Sequence, residues 1–495
     1  MNENEKLVNQ GQELIEQGNI EDAEKILLTL RRQEESPELN FIISKLLIDL
    51  GHKTKELKYI NEAISKLKNL TEDDFHRLHF YLGNAYLLKY TILEEKPNYL
   101  NNSEKLLYNA KLEFEKEIDN NPYELLHGAL VNLGTVYDII GRTIESLEIF
   151  TLVCEEFGTD YGLYNKGYAL YTFTTFTNDS KLCIKKAYNC FKTILENPKS
   201  KHIFKEKSRN MINLILESYN EEFLEEEIED NGIIEVQADN DFEFFMVNYC
   251  FENKLNLNLC DFCQNCSKSL EDSLVIEKMI YPKVEDNDET SLSMLSSYLN
   301  QIKMDYISAR TLLILSEYEE IDLDSITKYV YIIDTDFSEE NGIRTQLLKD
   351  SFKNFFNILD KIAFFIKDYL GFENEHDDIN FRTLWGKPEI HEMLIQTTNL
   401  GLNALYDIYL DVEFDYNKKY LRDTRNALTH KYLKITSEKY EITDKTLEEL
   451  KNETLEIAHL VKNAIIYLMR FVKINEEYWE EKLKVEVVEI KEVKL

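Results

Sequence analysis

The chain has 495 residues, of which 92 are Asp or Glu and 57 are Lys or Arg, so its formal net charge is −35. Such a charge repels phosphate backbones, and it excludes a protein that binds nucleic acid over its whole surface. With 43% apolar residues but only 15 Gly and 6 Pro, the composition indicates a compact, mainly helical protein of two or three domains.

Targeting signals are not recognisable in the sequence. It has no run of 18 uncharged apolar residues, and residues 1–6 (MNENEK) lack the positive start and apolar run of a signal peptide. We therefore expect a cytoplasmic protein with no membrane partner. The seven cysteines are an odd number, which argues against structural disulfides in a chain of this kind.

Small residues recur in the first half at the spacing of a helical repeat. Gly11, Gly83, Gly134 and Gly167 each precede an apolar or aromatic residue by three positions, as in the first helix of a tetratricopeptide repeat. A weaker unit begins at Ser44, 33 residues after Gly11, and 33 residues also separate Gly134 from Gly167. We expect about five helical hairpins over residues 1–220.

The interval from Gly83 to Gly134 is 51 residues and indicates an insertion, which we assign to a helical segment at 101–118. Stacked hairpins leave a concave face that commonly binds peptides, so we expect a protein or peptide partner there. The alternative is a solenoid that only scaffolds the C-terminal domain.

An acidic run opens a predicted linker at 221–240. It consists of Glu221, Glu222, Glu225, Glu226, Glu227, Glu229 and Asp230. The simplest interpretation is a charged linker, and the alternatives are a cap on the last repeat helix or a mimic of RNA that covers a basic cleft.

Four cysteines, Cys250, Cys260, Cys263 and Cys266, invite comparison with a zinc site, because thiolates at such spacing can surround one tetrahedral ion. The spacing is not that of a standard zinc knuckle, and neither a second C-x2-C nor a pair of histidines follows. We predict reduced, partly buried thiols and no metal, with zinc at these cysteines as the alternative.

The segment 421–432 (LRDTRNALTHKY) places Arg425, Asn426 and His430 in an R-N-x3-H arrangement. An imidazole can move a proton near neutral pH, and a guanidinium can hold a phosphate in a forked pair of hydrogen bonds. These groups suffice for attack of a ribose 2′-hydroxyl on its own phosphodiester without a cofactor. If 417–434 is one helix, however, Arg425 and His430 point about 140° apart, so a partner surface or a helix irregularity is needed.

Other charged residues support this candidate site. Asp360, on a predicted amphipathic helix at 345–370, is expected to orient Arg425 or Arg422, the alternative being a surface charge pair with Lys361. Further upstream, Arg310 is expected to be solvated. Four basic residues near the motif are predicted to bind substrate, although a solvated basic helix face is the alternative: Lys418, Lys419, Arg422 and Lys431.

The C-terminal tail alternates apolar and charged residues over 482–491, which predicts a strand. We place its partner within 431–442. The predicted fold is therefore all-α with a minor β element.

The sequence around the motif resembles the HEPN family (higher eukaryotes and prokaryotes nucleotide-binding domains), many members of which are ribonucleases with an R-x4-6-H motif. The resemblance covers roughly 240–475 and looks like a bacterial branch that follows helical repeats. It includes the segments Ser308-Ala309-Arg310, 332–336 (IIDTD), 358–365 (ILDKIAFF), 381–385 (FRTLW) and 399–406 (NLGLNALY).

The resemblance implies a HEPN domain at 241–495 with a helical core at about 345–475. It implies a homodimer in which both motifs face one cleft, and RNA cleavage that leaves a 2′,3′-cyclic phosphate. By the same resemblance we expect a regulated toxin or phage-defence effector. A non-catalytic nucleotide-binding module, or an adaptor acting through its repeats, is the alternative function.

Overall fold

The computed structural model describes most of the chain, namely residues 3–71, 75–93, 105–121, 126–176, 181–226, 236, 238–260, 267–276, 289–331, 342–372, 379–396, 399–413, 418–436 and 444–483. The chain forms two compact units. The first comprises Met1–Glu227 with Leu394–Thr398, and the second comprises Ile228–Met393 with Asn399–Leu495. Regular structure is almost entirely helical, which confirms the predicted all-α class. Among the described helices, none is both long and apolar enough to cross a membrane.

The first unit is built from helices that pack in sequence order, each against the next, up to α11. Each odd-numbered helix also packs against the next odd-numbered one, which is the arrangement of two-helix repeats stacked on their neighbours. The helices are α1 (Glu3–Glu16), α2 (Ile20–Arg31), α3 (Pro37–Thr54), α4 (Leu57–Lys68), α5 (Leu78–Leu93), α6 (Leu106–Asn120), α7 (His127–Ile140), α8 (Thr143–Phe157), α9 (Asp160–Phe173), α10 (Lys181–Glu196), α11 (His202–Leu216) and α12 (Glu221–Glu225), with a 3-10 helix at Thr174–Phe176.

The repeated glycines explain how the hairpins close. In three hairpins the glycine of the first helix faces a phenylalanine of the second, and a Cβ atom at the glycine would lie 2.7–2.9 Å from the ring. Only hydrogen leaves room for the ring at that distance. The pairs are Gly83 with Phe114, Gly134 with Phe150, and Gly167 with Phe191.

The prediction that residues 101–118 form an inserted helix between two repeats is wrong. Helix α6 covers most of that segment, and its Phe114 packs on Gly83 of α5, so α6 is the second helix of the third hairpin. The long interval between the glycines arises because α5 ends at Leu93 and α6 begins only at Leu106. Period counting could not separate a longer connection within a hairpin from an added helix.

The acidic run begins with a folded segment that belongs to the first unit. Helix α12 buries Leu224, and its end is held to α10 by two ion pairs. Lys192 lies 2.6 Å from Glu225, and Lys185 lies 3.0 Å from Glu226. Residues Glu227, Glu229 and Asp230 lie outside the described part of the chain.

The second unit has a core of long helices, in which α16 packs against α14 and α21, and α19 packs against α21. Both α16 and α21 bury apolar residues at intervals of three and four, the pattern of a helix with one face in a core. Its helices are α13 (Asp241–Glu252), α14 (Glu289–Glu317), α15 (Asp324–Thr327), α16 (Ile343–Tyr369), α17 (Phe381–Leu384), α18 (Pro388–Gln396), α19 (Leu400–Glu413), α20 (Lys419–His430) and α21 (Leu447–Leu483), with a 3-10 helix at Ser267–Leu270.

Arg310 of α14 is buried rather than solvated, which corrects the expectation from sequence. Its guanidinium donates to both carboxylate oxygens of Asp272 at 2.8 Å and to the Leu255 carbonyl at 3.1 Å. The arrangement ties the segment after α13 to α14. A buried charge of this kind is tolerated because the carboxylate of Asp272 pairs with it and both terminal nitrogens donate hydrogen bonds.

The small β element consists of β1 (Ile435–Thr436) and β2 (Lys445–Thr446), which pair in parallel with Ile435 opposite Lys445. Within the described residues, the segment predicted to pair with the C-terminal tail is instead paired with β2. Lys482 and Leu483 are the last residues of α21, and the remainder of that tail lies outside the described residues.

Gly401 provides a test of the packing of the second unit. A Cβ atom at this position would lie 2.3 Å from the Phe471 backbone nitrogen and 2.7 Å from the Tyr467 carbonyl oxygen, so α19 crosses the backbone of α21 directly. Gly401→Ala should lower the free energy of unfolding by about 1–3 kcal/mol or more through overpacking, despite the better helix propensity of Ala. Denaturant unfolding followed by circular dichroism measures it.

The matched control is Gly386→Ala, because Gly386 is exposed and a Cβ atom there would meet only the Thr383 carbonyl oxygen, at an ordinary contact distance of 3.5 Å. This variant should leave stability within about 0.5 kcal/mol of the parent. Equal stability of the two variants would contradict the close crossing of α19 and α21.

Candidate active site

Helix α20 carries the R-N-x3-H motif and is shorter than the predicted 417–434. It buries Leu421 and Thr424, and it packs on α16 and α19. The Thr424 hydroxyl donates to Glu453 Oε2 at 2.8 Å, and the Tyr420 hydroxyl donates to Glu456. These contacts fix which side of α20 faces the core.

Arg422 is engaged by the end of α19. Its Nη1 donates to the Glu413 carbonyl oxygen at 3.0 Å and to Glu413 Oε2 at 2.9 Å. The pair holds the start of α20 against the last residue of α19. Arg422 was predicted to bind substrate, and the structure shows it bound to a carboxylate of its own chain.

Arg425 lies one turn further along and has no such partner. Its guanidinium carbon is 5.7 Å from the centre of the Phe356 ring, and its Nη1 donates to Asn426 Oδ1 at 3.3 Å. Its Nε is buried and has no hydrogen-bond acceptor among the described residues. A half-buried guanidinium with open donors can accept an oxyanion.

A pocket of about 200 Å³ opens beside Arg425. The pocket is lined by residues of α16, α17, α19 and α20 and by the residue before α17. Its lining comprises Phe356, Asp360, Asn380, Phe381, Arg382, Val412, Glu413, Arg422, Arg425 and Asn426.

Asp360 lines this pocket together with Arg425. Its Oδ1 accepts the Phe381 backbone N–H at 2.8 Å, and no direct hydrogen bond to either arginine is formed among the described residues. Burial raises the pKa of the Asp360 carboxyl, while the Phe381 amide and the Arg425 guanidinium pull that pKa downward.

His430 is the last residue of α20 and is exposed. It does not line the pocket that holds Arg425 and Asn426. The helix keeps the two catalytic candidates about 140° apart, as their spacing requires. A single chain therefore brings Arg425 and Asn426 together and leaves His430 on the outer surface.

The lysines near the motif differ in availability. Lys418 Nζ lies 3.4 Å from Glu456 Oε1, whereas Lys419 and Lys431 are exposed and form no ion pair within the described residues. Only Lys419 and Lys431 therefore remain open to a phosphate.

Several pocket residues were not identified from sequence. Asn380 and Arg382 lie at the start of α17, whereas Glu413 ends the largely apolar helix α19. Asn380 does carry a signal, because an Asn followed three residues later by Thr is a helix start, and it caps α17. Phe381 and Trp385 are buried.

The cysteine cluster lies partly outside the described residues, because Cys263 and Cys266 do. Cys250 is buried, and burial raises the pKa of its thiol to about 11. Within the part of the chain that the structure describes, no group of three His, Cys, Asp or Glu residues could hold a metal ion. The zinc alternative stays a prediction.

Comparison with known protein families gives a match that covers most of the second unit. A family model described as LA2681-like HEPN matches residues 287–475, a range that runs from the start of α14 through most of α21 and includes the whole R-N-x3-H motif. Neither the curated proteins nor the solved structures give a match. Residues 287–475 therefore form an HEPN domain of the LA2681-like family.

Proposed function

We propose that this domain is an endoribonuclease that cleaves RNA without a metal. The observation that carries the proposal is the guanidinium of Arg425, which faces a small pocket with its Nε unpaired among the described residues, on the same helix as an exposed His430. The pocket, at about 200 Å³, is below the usual size of a site for a whole small molecule but admits a phosphate group.

In the proposed reaction the ribose 2′-oxygen attacks the adjacent phosphorus. A base removes the 2′-hydroxyl proton, the bond from phosphorus to the 5′-oxygen breaks, and an acid protonates that oxygen. The products are a 2′,3′-cyclic phosphate and a 5′-hydroxyl. His430 supplies the base or the acid, because imidazole exchanges protons near neutral pH.

Arg425 stabilises the negative charge that develops on the phosphorus centre. Charge-assisted hydrogen bonds of this kind are strongest in a partly dry site, and Arg425 is half-buried against Phe356. Asn426 holds Nη1 of Arg425 through its amide oxygen and leaves its own N–H donors for substrate. Lys419 and Lys431 contact flanking phosphates.

A second copy of the chain completes the site in this proposal. The 140° between Arg425 and His430 prevents one straight helix from presenting both to a single phosphate. A two-fold axis beside α20 brings His430 of one protomer to Arg425 of the other, and it does so twice because such an interface is self-complementary.

His430→Ala should lower the rate of RNA cleavage about 10²- to 10⁴-fold, the usual contribution of a general acid or base. Arg425→Ala should cause a comparable loss, and Arg425→Lys should recover little because ammonium cannot form the forked contact. Cleavage of total RNA in the presence of EDTA, using nuclease-free preparations, measures both variants.

The control is His52→Ala, which changes an exposed histidine of α3 in the first unit, a helix with no residue proposed to contact RNA. It should leave cleavage intact, and circular dichroism should show the same helix content in every variant. Undiminished cleavage in both the His430 and Arg425 variants would remove the motif from the reaction.

A mixture of Arg425→Ala and His430→Ala chains tests the shared site. If each site combines groups from two protomers, every mixed dimer holds one intact site, and random pairing restores about a quarter of the parent activity. Mixtures should be prepared by refolding or coexpression, with light scattering to establish the oligomeric state. No recovery from proven mixed dimers would show that both groups act within one chain.

Asp360 is tested by two substitutions that differ in one property. Asp360→Ala removes the acceptor of the buried Phe381 N–H and should cost about 1–3 kcal/mol of stability. Asp360→Asn keeps an acceptor but loses the charge. If that charge orients Arg425, Asp360→Asn should lower cleavage about tenfold while the protein stays folded.

The stability of the Asn variant has a defined dependence on pH. Because burial raises the pKa of Asp360 above its unfolded value, ionisation of this carboxyl opposes folding at neutral pH. Asp360→Asn should therefore be at least as stable as the parent at neutral pH, and this difference should disappear below about pH 3.9. A less stable Asn variant at pH 7 would contradict the assigned direction.

A further inference from the structure

Positive charge is concentrated at the end of the first unit. Residues 181–209 contain eight Lys and one Arg but only two acidic residues, Glu196 and Glu206. This segment forms α10 and the first half of α11. Its sign is opposite to that of a chain with a net charge of −35.

Part of this charge is already neutralised. Lys185 and Lys192 of α10 pair with Glu226 and Glu225 at the end of the acidic run. In contrast, four basic residues in and beside α11 form no ion pair within the described residues: Lys201, Lys205, Lys207 and Arg209.

Helix α9 presents a row of aromatic rings. Tyr161, Tyr164, Tyr168 and Tyr171 follow one another at intervals of three and four, so they share one face of the helix. Tyrosines at such spacing usually fill a core. Here Tyr161 is 47% exposed and Tyr168 is 43% exposed, so the row borders solvent.

The rings and the free cations form one continuous surface. Lys201 Nζ lies 6.0 Å from the centre of the Tyr161 ring, and Lys207 Nζ lies 5.6 Å from that of Tyr164. Phe204 of α11 packs against the row, and its ring centre is 4.5 Å from that of Tyr161. We call the set Tyr161, Tyr164, Tyr168, Tyr171, Lys201 and Lys207 the tyrosine–lysine surface.

We propose that the tyrosine–lysine surface binds single-stranded RNA. Each nucleotide offers a flat base and a negative phosphate, and exposed rings alternating with cations match both. An acidic peptide would satisfy the lysines but would leave the exposed tyrosine faces without partners. Duplex RNA would hide its bases from the rings.

This site is separate from the cleavage chemistry and goes beyond it. The RNA-binding claim does not depend on cleavage, because it is measurable in the full-length His430→Ala chain, which still carries the whole surface. If cleavage is never observed but this chain binds RNA and loses that binding when Tyr161 and Tyr168 are replaced by Ala, the proposed enzyme fails and the binding site stands. If cleavage is observed and binding is absent, the reverse holds.

The first experiment removes the exposed rings. Fluorescence anisotropy of a labelled oligouridylate should report binding to the His430→Ala chain. Adding Tyr161→Ala and Tyr168→Ala should raise the Kd about tenfold or more, the order of effect of losing stacked bases. Tyr161→Phe with Tyr168→Phe should retain binding, since the rings remain.

The second experiment measures the phosphate contacts and leaves all four tyrosines in place. Lys201→Ala with Lys207→Ala should flatten the slope of log K against log salt by about 1.4, because each single-strand contact contributes about 0.7. The matched control is Lys6→Ala with Lys53→Ala, two exposed lysines of α1 and α3, which should leave the slope unchanged.

Three outcomes would overturn the proposal. One is equal affinity in the Tyr→Ala and parental chains when circular dichroism shows both folded. Another is a salt dependence of binding that Lys6→Ala with Lys53→Ala reduces as much as Lys201→Ala with Lys207→Ala does. The third is binding of duplex RNA or of a polyglutamate peptide in preference to oligouridylate, which would assign the surface to a different partner.

Discussion

Burial of Leu421 and Thr424 fixes the rotation of α20, and the arrangement of the whole candidate site follows from that rotation. Both side chains are at most 2% exposed, and Thr424 is also hydrogen bonded to Glu453 of α21. With these residues inward, Arg425 is directed along the pocket edge and His430 to the outer surface. The separation of the two groups is thus a consequence of packing, and a shared site needs a second protomer.

Competition for Glu413 separates the roles of the arginines. Arg422 lies 2.9 Å from this carboxylate and Arg382 lies 3.7 Å from it, so both have a negative partner within the domain. Arg425 has none at that distance among the described residues, and its Nε lacks an acceptor. Leaving a buried donor unpaired costs free energy, and in the proposed reaction a phosphate oxygen of the substrate accepts from this Nε.

The sequence predicted those features that depend on neighbouring residues. The R-N-x3-H spacing, the helix that carries it and the glycines that admit Phe114, Phe150 and Phe191 are all local patterns. Features that depend on distant segments were missed. Glu413 meets Arg422 across a chain connection, Arg310 meets Asp272 38 residues away, and α6 pairs with α5 across a connection of unexpected length.

The lysines beside the R-N-x3-H motif and those in and beside α11 are two small regions of positive charge in an acidic chain. A net charge of −35 repels RNA from most of the surface, and screening limits each attractive patch to about 10 Å at moderate salt. The proposed RNA contacts therefore lie where the described lysines form no ion pair, as at Lys419 and Lys431 or at Lys201 and Lys207. Glu226 and Glu225 already neutralise Lys185 and Lys192 of α10. The unpaired lysines of the first unit that remain for RNA in this proposal are therefore those beside the tyrosines of α9. Unpaired lysines within an acidic chain favour the single-stranded RNA of this proposal, since a rigid duplex would carry much of its charge over repulsive surface.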